Sequence, residues 1–207
     1  MNTQVLPGNA PEALAQAVLT LRQGGIVALP TDTVYGIGAQ LTDPDAIERL
    51  YAVKGREHTK AIAVLLGSAG QLAQVALNPS AAALRLAAHF WPGALTLVVP
   101  RQPGLPPTLS QTGTVGVRVP DHALAQQLLL ASGPLAVTSA NLSGQPDACT
   151  AQEVLSQLGG RIDLVLNGGA TSGAIPSTVV DTTTSPPRIL RAGPISEDEI
   201  QAAFSAA

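Results

Sequence analysis

The 207-residue sequence reads as one α/β domain, a twisted mixed sheet with helices on both faces. Three observations predict this. Apolar runs at 26–29, 61–66, 95–99 and 135–138 are nearly continuous, and 115–119 is apolar apart from Gly116 and Arg118, so they read as strands buried on both sides. Between them lie segments whose apolar residues recur every three or four positions, as on an amphipathic helix. Gly-Gly, Asp-Pro, Asn-Pro and Trp-Pro-Gly steps separate the two kinds of segment.

Asn9 with Glu12 three residues later has the spacing of a capping box. Ala13, Leu14, Ala17, Val18 and Leu21 then keep helical spacing, and Gly24-Gly25 stops the helix before the strand at 26–29. Asp43-Pro44 opens a second helix with Ile47, Leu50, Tyr51 and Val53 on one face. Asn78-Pro79 starts a third helix, running to about Phe90, and Trp91-Pro92-Gly93 turns the chain out of it. A fourth helix lies near 122–131. Beyond residue 150 follow a short helix, strands at 164–166, 178–180 and 189–191, and a last helix from Ser196. The whole chain, 1–207, reads as a single unit with a core over about 10–195.

Composition narrows the function. Apolar residues make up 45% and aromatics 2%, so the core is aliphatic and rows of base-stacking rings are excluded. One cysteine, Cys149, excludes an internal disulfide and a cysteine metal cluster. No apolar run reaches the roughly 18 residues of a membrane helix, and the N-terminus lacks the pattern of a signal peptide. A cytoplasmic protein with no membrane role is expected. Net charge is −3, yet residues 58–120 contain no Asp or Glu beside Lys60, Arg85, Arg101 and Arg118. A stretch free of carboxylates suits an anion site, although a core-rich segment would look the same. Nine arginines accompany only two lysines, Lys54 and Lys60, six positions apart.

Five polar clusters stand at strand ends. Pro30-Thr31-Asp32-Thr33-Val34-Tyr35-Gly36-Ile37-Gly38 supplies hydroxyls, one carboxylate and glycines for close backbone approach. A capped turn would use the same residues, and without a third glycine this is not a dinucleotide fingerprint. Lys54-Gly55-Arg56-Glu57-His58-Thr59-Lys60 puts three cations in seven residues, enough for a polyphosphate or for a solvated loop. No G-x-x-x-x-G-K-[ST] pattern occurs. In Thr114-Val115-Gly116-Val117-Arg118-Val119-Pro120, Arg118 interrupts a buried strand. It needs a partner, either a structural carboxylate or an anionic ligand, and the acid-free surroundings favour the ligand. Thr138-Ser139-Ala140-Asn141-Leu142-Ser143-Gly144 follows a strand, at the edge where open α/β sheets bind ligands. Ser139 has neither a nucleophile elbow nor a well-placed histidine beside it. Pro176-Ser177-Thr178-Val179-Val180-Asp181 and Arg188-Ile189-Leu190-Arg191-Ala192-Gly193 read as paired strands. His58, His89 and His122 share no ligand spacing, and Trp91 reads as a core anchor.

The order of seven segments is more specific than any one of them. Pro-Thr-Asp-Thr-Val-Tyr-Gly at 30–36, Lys-Gly-Arg at 54–56, Phe-Trp-Pro-Gly at 90–93 with Leu95-Thr96-Leu97, Val-Arg-Val-Pro-Asp at 117–121, Ser-Ala-Asn-Leu-Ser-Gly at 139–144, Ser-Thr-Val-Val-Asp at 177–181 and Arg-Ala-Gly at 191–193 together resemble the YrdC-like family. The resemblance covers about residues 10–195. It implies a fold distantly like dihydroxybutanone-phosphate synthase and the short, single-domain type of the family. It also implies an enzyme that turns L-threonine, bicarbonate and ATP into threonylcarbamoyl-adenylate and pyrophosphate. The product would feed a separate transferase that modifies tRNA adenosine beside the anticodon.

By the same resemblance, Thr33, Arg118 and Ser177 match threonine-contacting positions. Arg56, Lys60, Thr114, Ser139, Asp147 and Arg191 match positions around ATP, and Lys54 and Asn141 are expected at its phosphate end. Lys54 and Arg56 are the expected catalytic cations. Mg²⁺ would arrive with ATP, riding on phosphate oxygens because no carboxylate cage is visible. Glu57 and Ala61 stand where many members carry prolines, and Leu65 where longer members carry histidine. The alternatives are a double-stranded RNA-binding module of this fold, with weak RNA binding through 58–120, and a diverged paralogue acting on another carbamate.

Overall fold

Local sequence explains most element boundaries. The computed structural model describes residues 2–173 and 175–205. In chain order its elements are β1 (Gln4–Pro7), α1 (Ala13–Arg22), β2 (Val27–Leu29), β3 (Gly36–Gln40), α2 (Pro44–Lys54), β4 (Ala63–Leu65), α3 (Ala81–Phe90) and β5 (Leu95–Pro100). They continue with β6 (Thr114–Arg118), α4 (Ala123–Ser132), β7 (Leu135–Ser139), α5 (Ala151–Leu158), β8 (Leu164–Asn167), β9 (Thr178–Asp181), β10 (Arg188–Arg191) and α6 (Glu197–Ser205).

The start of α2 is as expected: the Asp43 carboxylate accepts from the Ala46 amide at 3.0 Å, with Pro44 in the first turn. Gly55 ends it in the left-handed region at φ 59°. Two starts differ from the sequence reading. Asn9 does not cap α1; turns occupy 8–12, and Glu12 holds the N-cap position without a side-chain bond. For α3 the cap is Ser80, whose hydroxyl accepts from Ala83 N, so the helix begins three residues after Asn78. The capping box belongs to α5 instead, where Thr150 and Glu153 exchange side-chain and backbone bonds.

The strands form one mixed sheet in the order β1-β8-β2-β3-β7-β4-β6-β5-β9-β10. It holds parallel pairs (β1/β8, β8/β2, β4/β6, β5/β9) and antiparallel ones (β2/β3, β3/β7, β7/β4, β5/β6, β9/β10). Successive side chains point to opposite faces, and the two faces are covered unequally. One face carries Ile37, Val64, Leu97, Val117 and Val180 against Leu50, Leu86, Val154 and Ile200 from helices α2, α3, α5 and α6. On the other, α1 and α4 pack Ala17, Leu21, Leu128 and Leu129 over Val27, Leu29, Leu135, Val137, Leu164 and Leu166. That second cluster takes Leu65 alone from β4 and nothing from β5, β6 or β9 among the described residues. Helices therefore lie on both faces, but part of one face is left open. Among the described residues no helix is long and apolar enough to cross a membrane.

Candidate active site

The uncovered part of the sheet is a cavity of about 390 Å³. Strand alternation builds it. Ala63 and Leu65, Thr96 and Val98, Gly116 and Arg118, Val137 and Ser139, and Ser177 and Val179 line it, each pair two residues apart on one strand or its entrance. The motif at 30–38 forms one wall with Thr31, Thr33 and Tyr35, and Arg56, Asp147 and Arg191 also line the cavity. No histidine or cysteine is among the lining residues, and Asp147 is the single carboxylate there.

The wall is held by its own side chains. The Thr31 hydroxyl accepts from Thr33 N at 3.1 Å and donates to Val34 O at 2.7 Å, which is the capped turn the sequence allowed. Tyr35 reaches across the fold, donating to Gly169 O at 2.7 Å and accepting from Gly168 N at 3.2 Å. Burial pushes its phenol above the ordinary tyrosine value.

Arg118 has a partner from within the chain. Its Nη2 donates to Asp32 Oδ1 at 2.5 Å, Nη1 to Thr33 Oγ1 at 3.0 Å and Nε to Gly93 O at 2.9 Å. The two charged side chains are 7% and 14% exposed. The leaning toward a ligand as this partner is thus corrected: a carboxylate twenty-six positions outside the acid-free stretch provides it. Five guanidinium N–H groups less three bonds leave two for the cavity. Burial lowers the Arg118 pKa, and the facing Asp32 charge opposes that shift.

Two further arginines present guanidinium groups to the same space. Arg56 donates from Nε to Lys60 O at 3.0 Å and from Nη2 to Ala61 O at 2.9 Å. The arginine itself therefore braces the loop that carries Glu57 and Ala61. Arg191 donates from Nε and Nη2 to Ser177 O at 3.1 and 2.8 Å, and from Nη2 to the Ser177 hydroxyl at 3.2 Å. That hydroxyl also pairs with Thr96 Oγ1 at 2.7 Å. Among the described residues, Nη1 of Arg56 and of Arg191 make no hydrogen bond. Burial lowers the pKa of both.

Lys54 is placed differently from what the sequence implied. It is 3% exposed and outside the cavity lining. Its ammonium donates to Ser139 O, to Asn141 O at 2.6 Å and to Asn141 Oδ1 at 2.9 Å, three close acceptors for three donors, with the Ser139 hydroxyl a longer contact at 3.4 Å. Asn141 Oδ1 accepts in turn from Ser139 Oγ at 2.6 Å, and Asn141 Nδ2 donates to Gln145 O. Lys54 and Asn141 thus lie directly behind Ser139, which does line the cavity. Burial, with the Arg56 charge, lowers the Lys54 pKa to about 8, while Asp147 acts the other way. Lys60 is exposed and Thr114 bonds Thr112 Oγ1; both stand outside the lining.

Of the sequence-selected residues, Thr33, Arg56, Arg118, Ser139, Asp147, Ser177 and Arg191 meet in one cavity. Residues 19–193 match the Sua5/YciO/YrdC profile, described as telomere recombination. The chain belongs to the Sua5/YciO/YrdC family. It is 39% identical over 186 residues to the threonylcarbamoyl-AMP synthase of Vibrio cholerae, covering 88% of this chain and 98% of that one. To the threonylcarbamoyl-AMP synthase of Bacillus subtilis it is 39% identical over 203 residues, 97% of this chain and 58% of that one. The crystal structure of Pyrococcus abyssi Sua5 complexed with L-threonine superposes with a TM-score of 0.93 at 35% identity, covering 99% of this chain. The chain spans 61% of that longer family member.

Sequence reasoning passed over Asp32 as the partner of Arg118, and gave Thr96 no role. Asp32 had a signal, as the one carboxylate in the first polar cluster. Thr96 stood in the Leu95-Thr96-Leu97 segment, but a threonine in a strand is ordinary and does not announce its contact with Ser177.

Proposed function

We propose that this chain makes threonylcarbamoyl-AMP and pyrophosphate from L-threonine, bicarbonate and ATP. One observation carries the reading: three guanidinium groups with unused N–H donors converge on a cavity that lacks a nucleophile–base pair among its described residues. Such a site stabilises anions and positions them; it does not attack.

The threonine amine and bicarbonate condense, with loss of water, to N-carboxythreonine. Its carbamate oxygen attacks the α-phosphorus of ATP; the new O–P bond forms as the bond to the β-phosphate oxygen breaks, and pyrophosphate leaves. Arg118 holds the threonine α-carboxylate through its two remaining N–H groups, with Thr33 and Ser177 beside it. Arg56 and Arg191 take the triphosphate with Ser139 and Asp147 on the same side, while Lys60 and Thr114 approach from beyond the lining. Lys54 and Asn141 act by fixing the Ser139 segment. A Mg²⁺ ion carried by ATP would neutralise phosphate charge, with Asp147 the lining residue able to hold it. Among the described residues no three His, Cys, Asp or Glu side chains gather into a cage, and Asp147 is the one lining carboxylate a phosphate-bound ion can meet. The product passes to a tRNA-modifying transferase in the cytoplasm.

The test is pyrophosphate release from ATP and Mg²⁺ with threonine and bicarbonate omitted in turn. Release that needs both supports the reading. Release without threonine contradicts it in favour of another carbamate, and salt-sensitive RNA binding without release favours the RNA-binding alternative.

A further inference from the structure

Asp32 lies outside the cavity lining, yet it touches the cavity's most buried cation. Its Oδ1 accepts from Arg118 Nη2 at 2.5 Å and from the Asp121 amide at 3.0 Å. It thereby ties the motif at 30–36 to the strand end of β6 and to the residues that lead into α4. With Gly93 O and Thr33 Oγ1 it makes three acceptors around one guanidinium. The plane of Arg118 is set before any ligand arrives. The contrast with Arg56 and Arg191 is chemical. Those two are held by backbone carbonyls, plus one hydroxyl for Arg191, and neither is hydrogen-bonded to a carboxylate, although the Asp147 charge acts on Arg191 across the cavity. Arg118 faces a carboxylate and belongs to a neutral pair.

We propose that Asp32 is a positioning residue that reserves Arg118 for a carboxylate: it orients the guanidinium and cancels the charge that would otherwise draw Arg118 to the triphosphate. The inference rests on the reading of Arg118 as the threonine site. A neutral pair attracts a tetra-anion weakly, but it still offers two in-plane N–H groups to a singly charged carboxylate. Arg56 and Arg191 then remain the stronger phosphate sites. Two physical effects oppose each other when Asp32 is removed. Coulomb attraction alone tightens threonine binding, because a competing anion is gone. Loss of orientation weakens it, because the freed guanidinium turns toward phosphate. The three-acceptor cage makes orientation the larger effect.

The experiment measures pyrophosphate release with Asp32→Asn, Arg118→Ala and the double variant, varying threonine and ATP separately. Asp32→Asn raises KM for threonine about tenfold or more, the scale of one hydrogen bond to a charged group, with KM for ATP within about twofold. Arg118→Ala alone raises KM for threonine, and adding Asp32→Asn to it has no further effect, since Asp32 acts only through Arg118. Asp32→Glu, which keeps the charge but displaces the oxygen by one methylene, gives an intermediate loss; it carries the test if the asparagine variant fails to melt cooperatively. Unchanged or tighter threonine binding in both Asp32 variants, with Arg118→Ala impaired, overturns the role of Asp32 alone. Normal threonine kinetics in Arg118→Ala overturn the threonine site and this proposal with it. Equal losses in both KM values and additive loss in the double variant mark a merely structural Asp32 and also overturn it.

Discussion

The ammonium of Lys54 at the end of α2 is satisfied by Asn141: it donates to the Asn141 carbonyl at 2.6 Å and to its side-chain oxygen at 2.9 Å. Helix α2 and the segment after β7 are thereby joined beneath the cavity, with Ser139 O as the third acceptor. A cation that the sequence assigns to phosphate binding is, in the fold, a clamp.

Lys54→Met removes this donor from Ser139 O and Asn141 O and leaves Asn141 Oδ1 with the Ser139 hydroxyl alone. Each lost partner costs about 1–3 kcal/mol, so thermal melting shows a lower Tm and pyrophosphate release falls at saturating ATP. A variant that melts and turns over like the parent contradicts the clamp.

Clamping also sets a pH dependence. The Lys54 pKa of about 8 in the folded chain lies below its ordinary value of 10.5. Between these values the unfolded chain carries a proton that the folded chain lacks, so this group makes stability rise with pH across that window. Below about pH 8 its cost is fully present. Activity runs the other way, because a neutral amine has two N–H groups for three acceptors. Pyrophosphate release falls as pH rises through about 8, while melting curves of parent and Lys54→Met diverge, the parent gaining. Parallel curves from pH 7 to 10 count against it.

Arg56 and Arg191 separate kinetically. Arg56 braces its own loop, so Arg56→Ala raises KM for ATP about tenfold or more and leaves KM for threonine within about twofold. Arg191 also holds Ser177 through three hydrogen bonds. Arg191→Lys keeps the charge but loses the fork, and raises both KM values. Steady-state kinetics with each substrate varied decide both.

Gly193 sits where a side chain has no room. A Cβ there meets Thr178 N, Pro176 O at 2.6 Å and Ser177 C at 2.6 Å, all backbone atoms. Gly193→Ala pushes the entrance of β9 aside, lowers Tm, and raises KM for threonine through Ser177. An unchanged Tm contradicts this packing.

Most of the sheet and all six helices were legible, because their apolar periodicity is local. Two strands were not. β3, Gly36-Ile37-Gly38-Ala39-Gln40, reads as a turn because glycine weakens strand propensity. The reason for Gly36 lies on the neighbouring strand, since a Cβ there meets Val137 Cγ1 at 2.7 Å. β1 is an exposed edge strand paired with β8 some 160 residues away, a contact no local pattern announces. The site was legible as a set of residues more than as a set of contacts. Thr33, Arg118, Ser177 and Arg191 line one cavity. Lys54 read as a loop cation, although it continues the spacing of Ile47, Leu50 and Tyr51 by one more turn, which is the signal of a buried face. Asp32 and Arg118, 86 positions apart, meet through tertiary structure.

The central claim is that one cavity joins a carbamate of threonine to AMP. The most direct measurement is mass spectrometry of a single-turnover reaction with ¹³C-bicarbonate, threonine, ATP and Mg²⁺. The account predicts an adenylate carrying threonine and one ¹³C atom, formed in step with pyrophosphate. An adenylate without the label, or no adenylate while ATP is bound, would contradict it.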